Sequence, residues 1–223
     1  MKELTVSSLL DLDKTIAKDL FDPNENAFDV LPRIKDFIIE LSEKLRKDEF
    51  DEREPGVFVH KTAVVAPSAF IAAPCIIDAS AEIRHCAFIR GSAIIGKNCV
   101  VGNSTELKNV VLFDNVQVPH YNYVGDSVLG FKSHMGAGSI TSNVKSDKTP
   151  VSVRVDDEKV DTGFKKFGAI LGDHVEVGCG TVLNPGSVVG RNTSVYPLSM
   201  VRGFIPENSI YKHMGEVIGK EIF

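Results

Sequence analysis

From Val59 onward, every sixth residue is large and apolar: Val59, Val65, Ile71, Ile77, Ile83, Ile89, Ile95, Val101, Leu107 and Phe113. Four places after each of the first eight stands a small residue: Ala63, Ala69, Cys75, Ala81, Ala87, Ala93, Cys99 and Thr105. A second train runs Leu171, Val177, Leu183, Val189, Val195 and Val201, with Val175, Thr181, Ser187, Thr193 and Ser199 in the small place. An α-helix repeats at 3.6 residues and a strand at two, so neither accounts for a period of six. Short strands joined by tight corners do account for it. Three hexads close one triangular turn of about eighteen residues, and each turn stacks on the last at about 4.8 Å. Gly and Asn in "IIGKN", "VVGNS", "LGDH" and "VVGRN" supply the dihedral freedom that corners need. The pattern predicts an all-β solenoid, a parallel β-helix of hexapeptide repeats over 57–206.

The bulk numbers agree with a packed core and narrow the partners. The chain has 223 residues, 43% of them hydrophobic, which is enough for one or two domains. A net charge of −5 argues against nucleic acid or an anionic membrane as the main partner. No run approaches the roughly eighteen apolar residues of a membrane span. The opening "MKELTVSSLLDLDKTIAKDL" is interrupted by acids and does not read as a signal peptide, so the expected location is cytoplasmic. Cys75, Cys86, Cys99 and Cys179 have no C-x-x-C spacing and are expected to stay reduced. Cys75 and Cys99 fall in the small inward place, where a thiol packs as a small hydrophobe.

Residues 1–50 obey a different rule. "SSLLDLDKTIAKDLF" offers Ser7 or Ser8 as a helix cap ahead of Leu9, Leu10, Ile16 and Leu20. Val30, Ile34, Ile38 and Leu41 then recur at helical spacing, with Pro32 in the first turn and basic residues at the end. Two helices are expected, covering the open end of the solenoid or helping an oligomer to form. A charged linker over 51–56 follows. Residues 144–168 carry no hexad and form an inserted loop, in which the alternating "VSVRV" suggests a hairpin arm. Residues 207–223 are expected as a tail.

The rhythm breaks in the middle of the chain. Pro119 stands where the next aliphatic is due, and the frame resumes at Leu129 and Met135, two residues early. Around the break lie Gly102-Asn103-Ser104-Thr105-Glu106-Leu107-Lys108, then Pro119-His120-Tyr121-Asn122-Tyr123-Val124-Gly125-Asp126, then Gly136-Ala137-Gly138-Ser139-Ile140-Thr141-Ser142-Asn143. These runs resemble the acetyltransferase domain of the bifunctional bacterial glucosamine-1-phosphate acetyltransferase / N-acetylglucosamine-1-phosphate uridylyltransferase. That family reads roughly G-N-x-x-E-x-K, G-H-x-x-Y-x-G-D and G-A-G-x-I-x-x-N at these places. The resemblance spans about 57–210.

The resemblance implies a left-handed coil, a homotrimer, and acetyl-CoA as cosubstrate with no metal required. It makes His120 the catalytic base and assigns Arg90, Lys108, Tyr123 and Asn143 to the sugar phosphate. Lys166, or its neighbour Lys165, matches the family's later phosphate-binding lysine. Gly178, Cys179, Tyr196 and Pro197 fall where acetyl-CoA lies between subunits. Two positions depart from the pattern. His134 replaces an asparagine of the substrate site, and Pro119 replaces the glycine before the histidine. The first 56 residues offer no Gly-rich nucleotide loop, so uridylyl transfer is not expected of this chain alone.

The chemistry suits those side chains. An amino sugar is mostly an ammonium ion at neutral pH, and a neutral imidazole can take the proton that frees it to attack a thioester. Arg90 would grip a phosphate as a fork, Lys108 and Lys166 as point charges. A non-catalytic trimeric scaffold that keeps sugar-phosphate binding is the alternative. A hexapeptide-repeat carbonic anhydrase would need three histidines converging on zinc. His60, His85, His120, His134, His174 and His213 contain no pair at a five-residue step.

Overall fold

In the computed structural model, which describes residues 1–212 and 215–220, the hexads are short parallel strands stacked into a left-handed β-solenoid. Three faces result. The first holds Val57–His60, Cys75–Ile77, Ala93–Ile95, the ends of Glu106–Leu112 and Tyr123–Leu129, then Ala169–Leu171, Ser187–Val189 and Phe204–Ile205. The second climbs from Val64–Val65 through Val100–Asn103, Gln117–His120 and His134–Met135 to Ser209–Tyr211. The third carries Phe70–Ile71, Phe88–Ile89, the starts of Glu106–Leu112 and Tyr123–Leu129, Ile140–Thr141, Val182–Leu183 and Met200–Val201. Ile77 pairs with Ile95, Ile83 with Val101 and Leu107 with Val124, so the inward residues form ladders sealed from solvent. Each such side chain contributes about 1.5–3 kcal/mol once buried.

Between the second and third faces, one column of left-handed residues turns six successive coils: Cys86, Ser104, Tyr121, Gly138, Gly180 and Leu198, with φ from 52° to 70°. Tyr121 and Leu198 accept a backbone that side chains rarely adopt, and both remain exposed, at 63% and 76%.

The break lies elsewhere than Pro119. Ala93 pairs with Val110, and Val110 with Ser127, so two successive coils have seventeen residues instead of eighteen. One residue is lost after Lys108 and one after Gly125, both at the corner between the third and first faces, where Asn109 and Asp126 take left-handed φ of 54° and 49°. Val118 therefore holds the inward place expected of Pro119, and Leu112 that expected of Phe113. Phe113 turns out to meet Phe21 edge-on at 5.5 Å.

The N-terminal segment differs from expectation in two ways. Only Ile34–Lys44 is a helix of ordinary length; the stretch around Ser7 and Ser8 forms a single turn, Val6–Leu9, behind Thr5. Beyond it, Asp11 accepts from the Asp13 amide and bends the chain into a 3₁₀ turn, as short acidic side chains do. The segment also covers a side of the solenoid, not its open end. The Asp173 amide donates to the Leu9 carbonyl at 3.0 Å, the Asp114 amide to that of Lys14 at 2.9 Å, and Asn109 Nδ2 to that of Leu31 at 3.2 Å. The helix then crosses Ala93–Ile95 and Cys75–Ile77, so the chain climbs the first face against the direction of stacking. Asp173 pins its lower end, accepting from the amides of Asp11 and Phe131 at 2.8 Å each. Burial pushes that carboxyl above the usual range.

This cover explains why the first face is apolar outside as well as in. Ile76, Ile94, Val111, Val128, Ile170 and Val188 point outward and are all fully buried. The stretch read as a linker contains an edge strand, Phe50–Glu54, antiparallel to the first coil. In the insert, Ser152–Val155 and Glu158–Asp161 form an antiparallel hairpin, with Val151, Val153 and Val155 buried. The stretch read as a tail supplies the last strand of the second face, Ser209–Tyr211, and Val217–Gly219 folds back against it.

If the N-terminal cover is part of the core, an outward residue beneath it behaves as an interior one. Ile94→Ala should cost about 2–5 kcal/mol in denaturant unfolding, and Val64→Ala, on an exposed outer position, about 0.5 kcal/mol or less. Equal costs would contradict the buried outer face.

Candidate active site

The outer surface of the third face carries two parallel rows. Phe70, Phe88, Glu106, Tyr123 and Ile140 are paired neighbours in one row. Arg90, Lys108 and Gly125 follow one another in the row beside it, two residues further along each strand. Strand alternation points all of them outward. The short corners at Asn109 and Asp126 then bring polar side chains of successive coils against the end of this second row.

Asp126 is the hub. Its carboxylate, 6% exposed, accepts from Lys108 Nζ at 3.3 Å, Asn109 Nδ2 at 3.0 Å and Asn143 Nδ2 at 2.5 Å. Asn143 Nδ2 also donates to Tyr123 Oη at 3.2 Å. Arg90 pairs with Glu106 at 2.8 Å. Glu106, Asp126 and Asn109 were not singled out from the sequence; the two acids lie within the quoted motifs, and Asn109 directly follows one of them. Arg90, Lys108, Tyr123 and Asn143 are thus gathered on one surface, with most of their donors still free for a ligand. Gly125 makes room for this arrangement, since a Cβ there would sit 2.5 Å from Tyr123 Oη. Partial burial, then the carboxylates of Asp126 and Glu106, push the Tyr123 phenol above its ordinary range.

His120 is the exposed last residue of the second-face strand Gln117–His120, immediately before Tyr121 of the corner column that leads into the third face. Its backbone is held at both ends: the amide donates to Asn122 Oδ1 at 3.1 Å, and the carbonyl accepts from the Gly138 amide at 3.0 Å. Asn122 is buried and occupies the small inward place of its coil, where its Nδ2 donates to the Gly136 and Ser139 carbonyls at 2.9 and 3.1 Å. The signal for it was available, because Asn122 stands seventeen residues after Thr105 in the small train. Among the described residues, the Ala137 amide beside His120 makes no hydrogen bond within the chain.

Further down the same column come Gly178, Cys179, Tyr196 and Pro197. The Leu198 amide donates to the Cys179 carbonyl at 2.9 Å, and a Cβ on Gly178 would collide with Pro197, so these coils need the glycine to close. At about 4.8 Å per coil, Cys179 and Pro197 lie about 10 and 14 Å along the axis from His120. Lys166 and Lys165 are exposed where the insert returns, next to the Phe167 amide that donates to the Asn143 carbonyl at 3.0 Å. His134 is not gathered with the others. It lies on the second face, with Nδ1 2.9 Å from Glu176 Oε2, in a groove shared with Gln117, Lys132 and His174. His213 lies outside the described residues. Among the described residues, no three His, Cys, Asp or Glu side chains converge as a metal site requires, and no helix is long and apolar enough to cross a membrane.

The electrostatics of the site can be read by spectrophotometric titration. The difference in absorbance at 295 nm between the chain and Tyr123→Phe should report a phenol ionising above its ordinary value of 10. Replacing Asp126 with Asn removes a negative charge and should lower that midpoint. A midpoint at or below 10 in the unaltered chain would contradict the geometry described.

Comparison with known proteins fits this picture. The chain is 35% identical over 117 residues to the protein named bifunctional protein GlmU of Methanococcus aeolicus, covering 52% of this chain and 28% of that one. It is 32% identical over 109 residues to a bifunctional sugar-1-phosphate nucleotidylyltransferase/acetyltransferase of Sulfurisphaera tokodaii, covering 49% and 27%. The chain thus matches little more than a quarter of the length of these relatives. A solved hexapeptide transferase family protein of Anaplasma phagocytophilum is similar at 15% identity and a TM-score of 0.42, over 75% of this chain and 81% of that one. The family described as the GMPPB C-terminal domain matches residues 71–214, nearly all of the solenoid, and the chain belongs to it.

Proposed function

We propose that the chain is an acyl-CoA-dependent N-acetyltransferase acting on an amino-sugar phosphate such as glucosamine-1-phosphate, in amino-sugar nucleotide metabolism. One observation carries this reading. Lys108, Tyr123 and Asn143 are joined in one hydrogen-bonded network through Asp126, Arg90 is held on the same outer face by Glu106, and the exposed His120 stands at the corner leading into that face on a backbone tied at both ends. The cations would hold the phosphate, helped by Lys166, while Tyr123 and Asn143 orient the sugar. Acetyl-CoA would run along the corner column past Gly178, Cys179, Tyr196 and Pro197.

In the reaction, a His120 ring nitrogen takes a proton from the amino group as its nitrogen attacks the thioester carbon. The oxyanion of the tetrahedral intermediate would meet the unengaged Ala137 amide. Collapse breaks the C–S bond, and the thiolate leaves as CoA, recovering the proton from the imidazolium. No metal takes part. The exposed apolar residues Phe70, Phe88 and Met200 on the third face support a homotrimer in which neighbouring prisms close the slot for the cosubstrate. His134, on the second face, would then reach the acceptor only from an adjacent subunit. Of the two activities named for the Sulfurisphaera relative, acetyl transfer is the one these residues support.

Release of CoA from acetyl-CoA in the presence of glucosamine-1-phosphate tests the reading. His120→Ala should lower turnover by about 10²–10⁴-fold, the usual value of a general base, with glucosamine-1-phosphate still bound. An unaltered chain that turns over no amino sugar, yet captures a specific protein partner, would support the scaffold alternative.

A further inference from the structure

Asn109 turns the corner immediately after Lys108, and its side chain bonds in two directions. Nδ2 donates to the Leu31 carbonyl at 3.2 Å and to Asp126 Oδ1 at 3.0 Å. A carboxamide nitrogen carries two hydrogens, so both bonds can be made at once. Asp126 in turn holds Lys108 and Asn143, and Asn143 reaches Tyr123. An unbroken path therefore runs from the N-terminal segment, outside the 71–214 family match, into the polar surface of the third face.

The corner does not require this side chain. The Asn109 amide donates to the carbonyl of Gly91, and the preceding coil turns this corner through Gly91 and Ser92 at φ +88° and +51°, neither of which carries a carboxamide. Left-handed backbone suits glycine best, and asparagine only tolerably. What the amide adds is the link between Leu31 and Asp126. With that link gone, a carboxylate that also serves two other donors would settle differently, and Lys108 and Asn143 would move with it.

We infer that Asn109 is a positioning residue through which the N-terminal segment sets Asp126, and with it Lys108 and Asn143, for a phosphate-bearing acceptor. The ligand in this statement rests on the function proposed above; the network does not. Asn109→Gly tests it, because glycine keeps the left-handed turn and deletes only the amide. Asn98→Gly is the matched control, at another left-handed corner (φ 55°) whose side chain makes no hydrogen bond among the described residues.

In titration calorimetry with glucosamine-1-phosphate, Asn109→Gly should weaken binding about three- to tenfold, the scale of one ordinary hydrogen bond felt indirectly. Asn98→Gly should change it about twofold or less. In ¹H–¹⁵N spectra, the Asn143 side-chain amide signals should shift in Asn109→Gly and stay in place in Asn98→Gly. Unchanged binding by Asn109→Gly, or Asn143 signals that do not move, overturns the inference. Should the unaltered chain not bind glucosamine-1-phosphate, the functional reading falls, and the Asn143 signals alone decide whether the network exists.

Discussion

A coil of this solenoid has no interior of its own. Three short strands enclose a triangle too small to bury anything until the next coil covers it, so the hydrophobic gain belongs to the contact between coils. That contact demands parallel register, with Ile77 over Ile95 and Leu107 over Val124. Everything functional inherits this constraint. A side chain on the surface has a fixed place because its strand is locked, above and below, by ladders it does not belong to. Arg90 and Lys108 are eighteen residues apart in sequence and neighbours in space for that reason alone.

Within this frame, the site depends on a local departure from regularity. Two coils each give up one residue at the same corner, which brings Asn109 and Asp126 to one edge of the third face and lets Asn143 reach Asp126 from the coil beyond. Partly exposed ion pairs such as Arg90–Glu106 contribute only about 0–1 kcal/mol to stability. Their value lies in placement: each cation is held in one region by an acid, with hydrogens left over for another partner. At the opposite edge, placement is achieved from inside the prism. Asn122 fills a slot that earlier coils give to alanine or threonine, and its polar atoms all reach backbone or hydroxyl groups around the His120 corner.

The N-terminal segment adds a third layer of organisation. By lying along the first face it removes that face from contact with other molecules, so the second and third faces remain for neighbours and ligands. It is fastened by polar bonds at Asp173, Asp114 and Asn109, and by aromatic contacts such as Phe28 with Phe167 at 5.3 Å. The last of these brings the returning end of the insert, with Lys165 and Lys166, against the cover as well as against Asn143.

Much of this was legible in the residue order, and the boundary follows from range. Period six fixes the solenoid because inward placement is local, repeating within each strand and corner. The motif around Glu106-Leu107-Lys108 and His120 likewise points to its chemistry, since the reactive side chains lie within a few residues of one another. The break was mislocated to Pro119 because a missing residue shifts every later position equally, and only pairing between coils shows where it was lost. The role of residues 1–50 was missed although Ile76, Ile94, Val111 and Val128 announce a second apolar row, since nothing local says what covers them. What the chain alone determined was the coil and the side chains it displays. Which of them meet, His134 apart and Asn109 joined to Leu31, was decided by contacts between segments far apart in sequence, whose energies no short window contains.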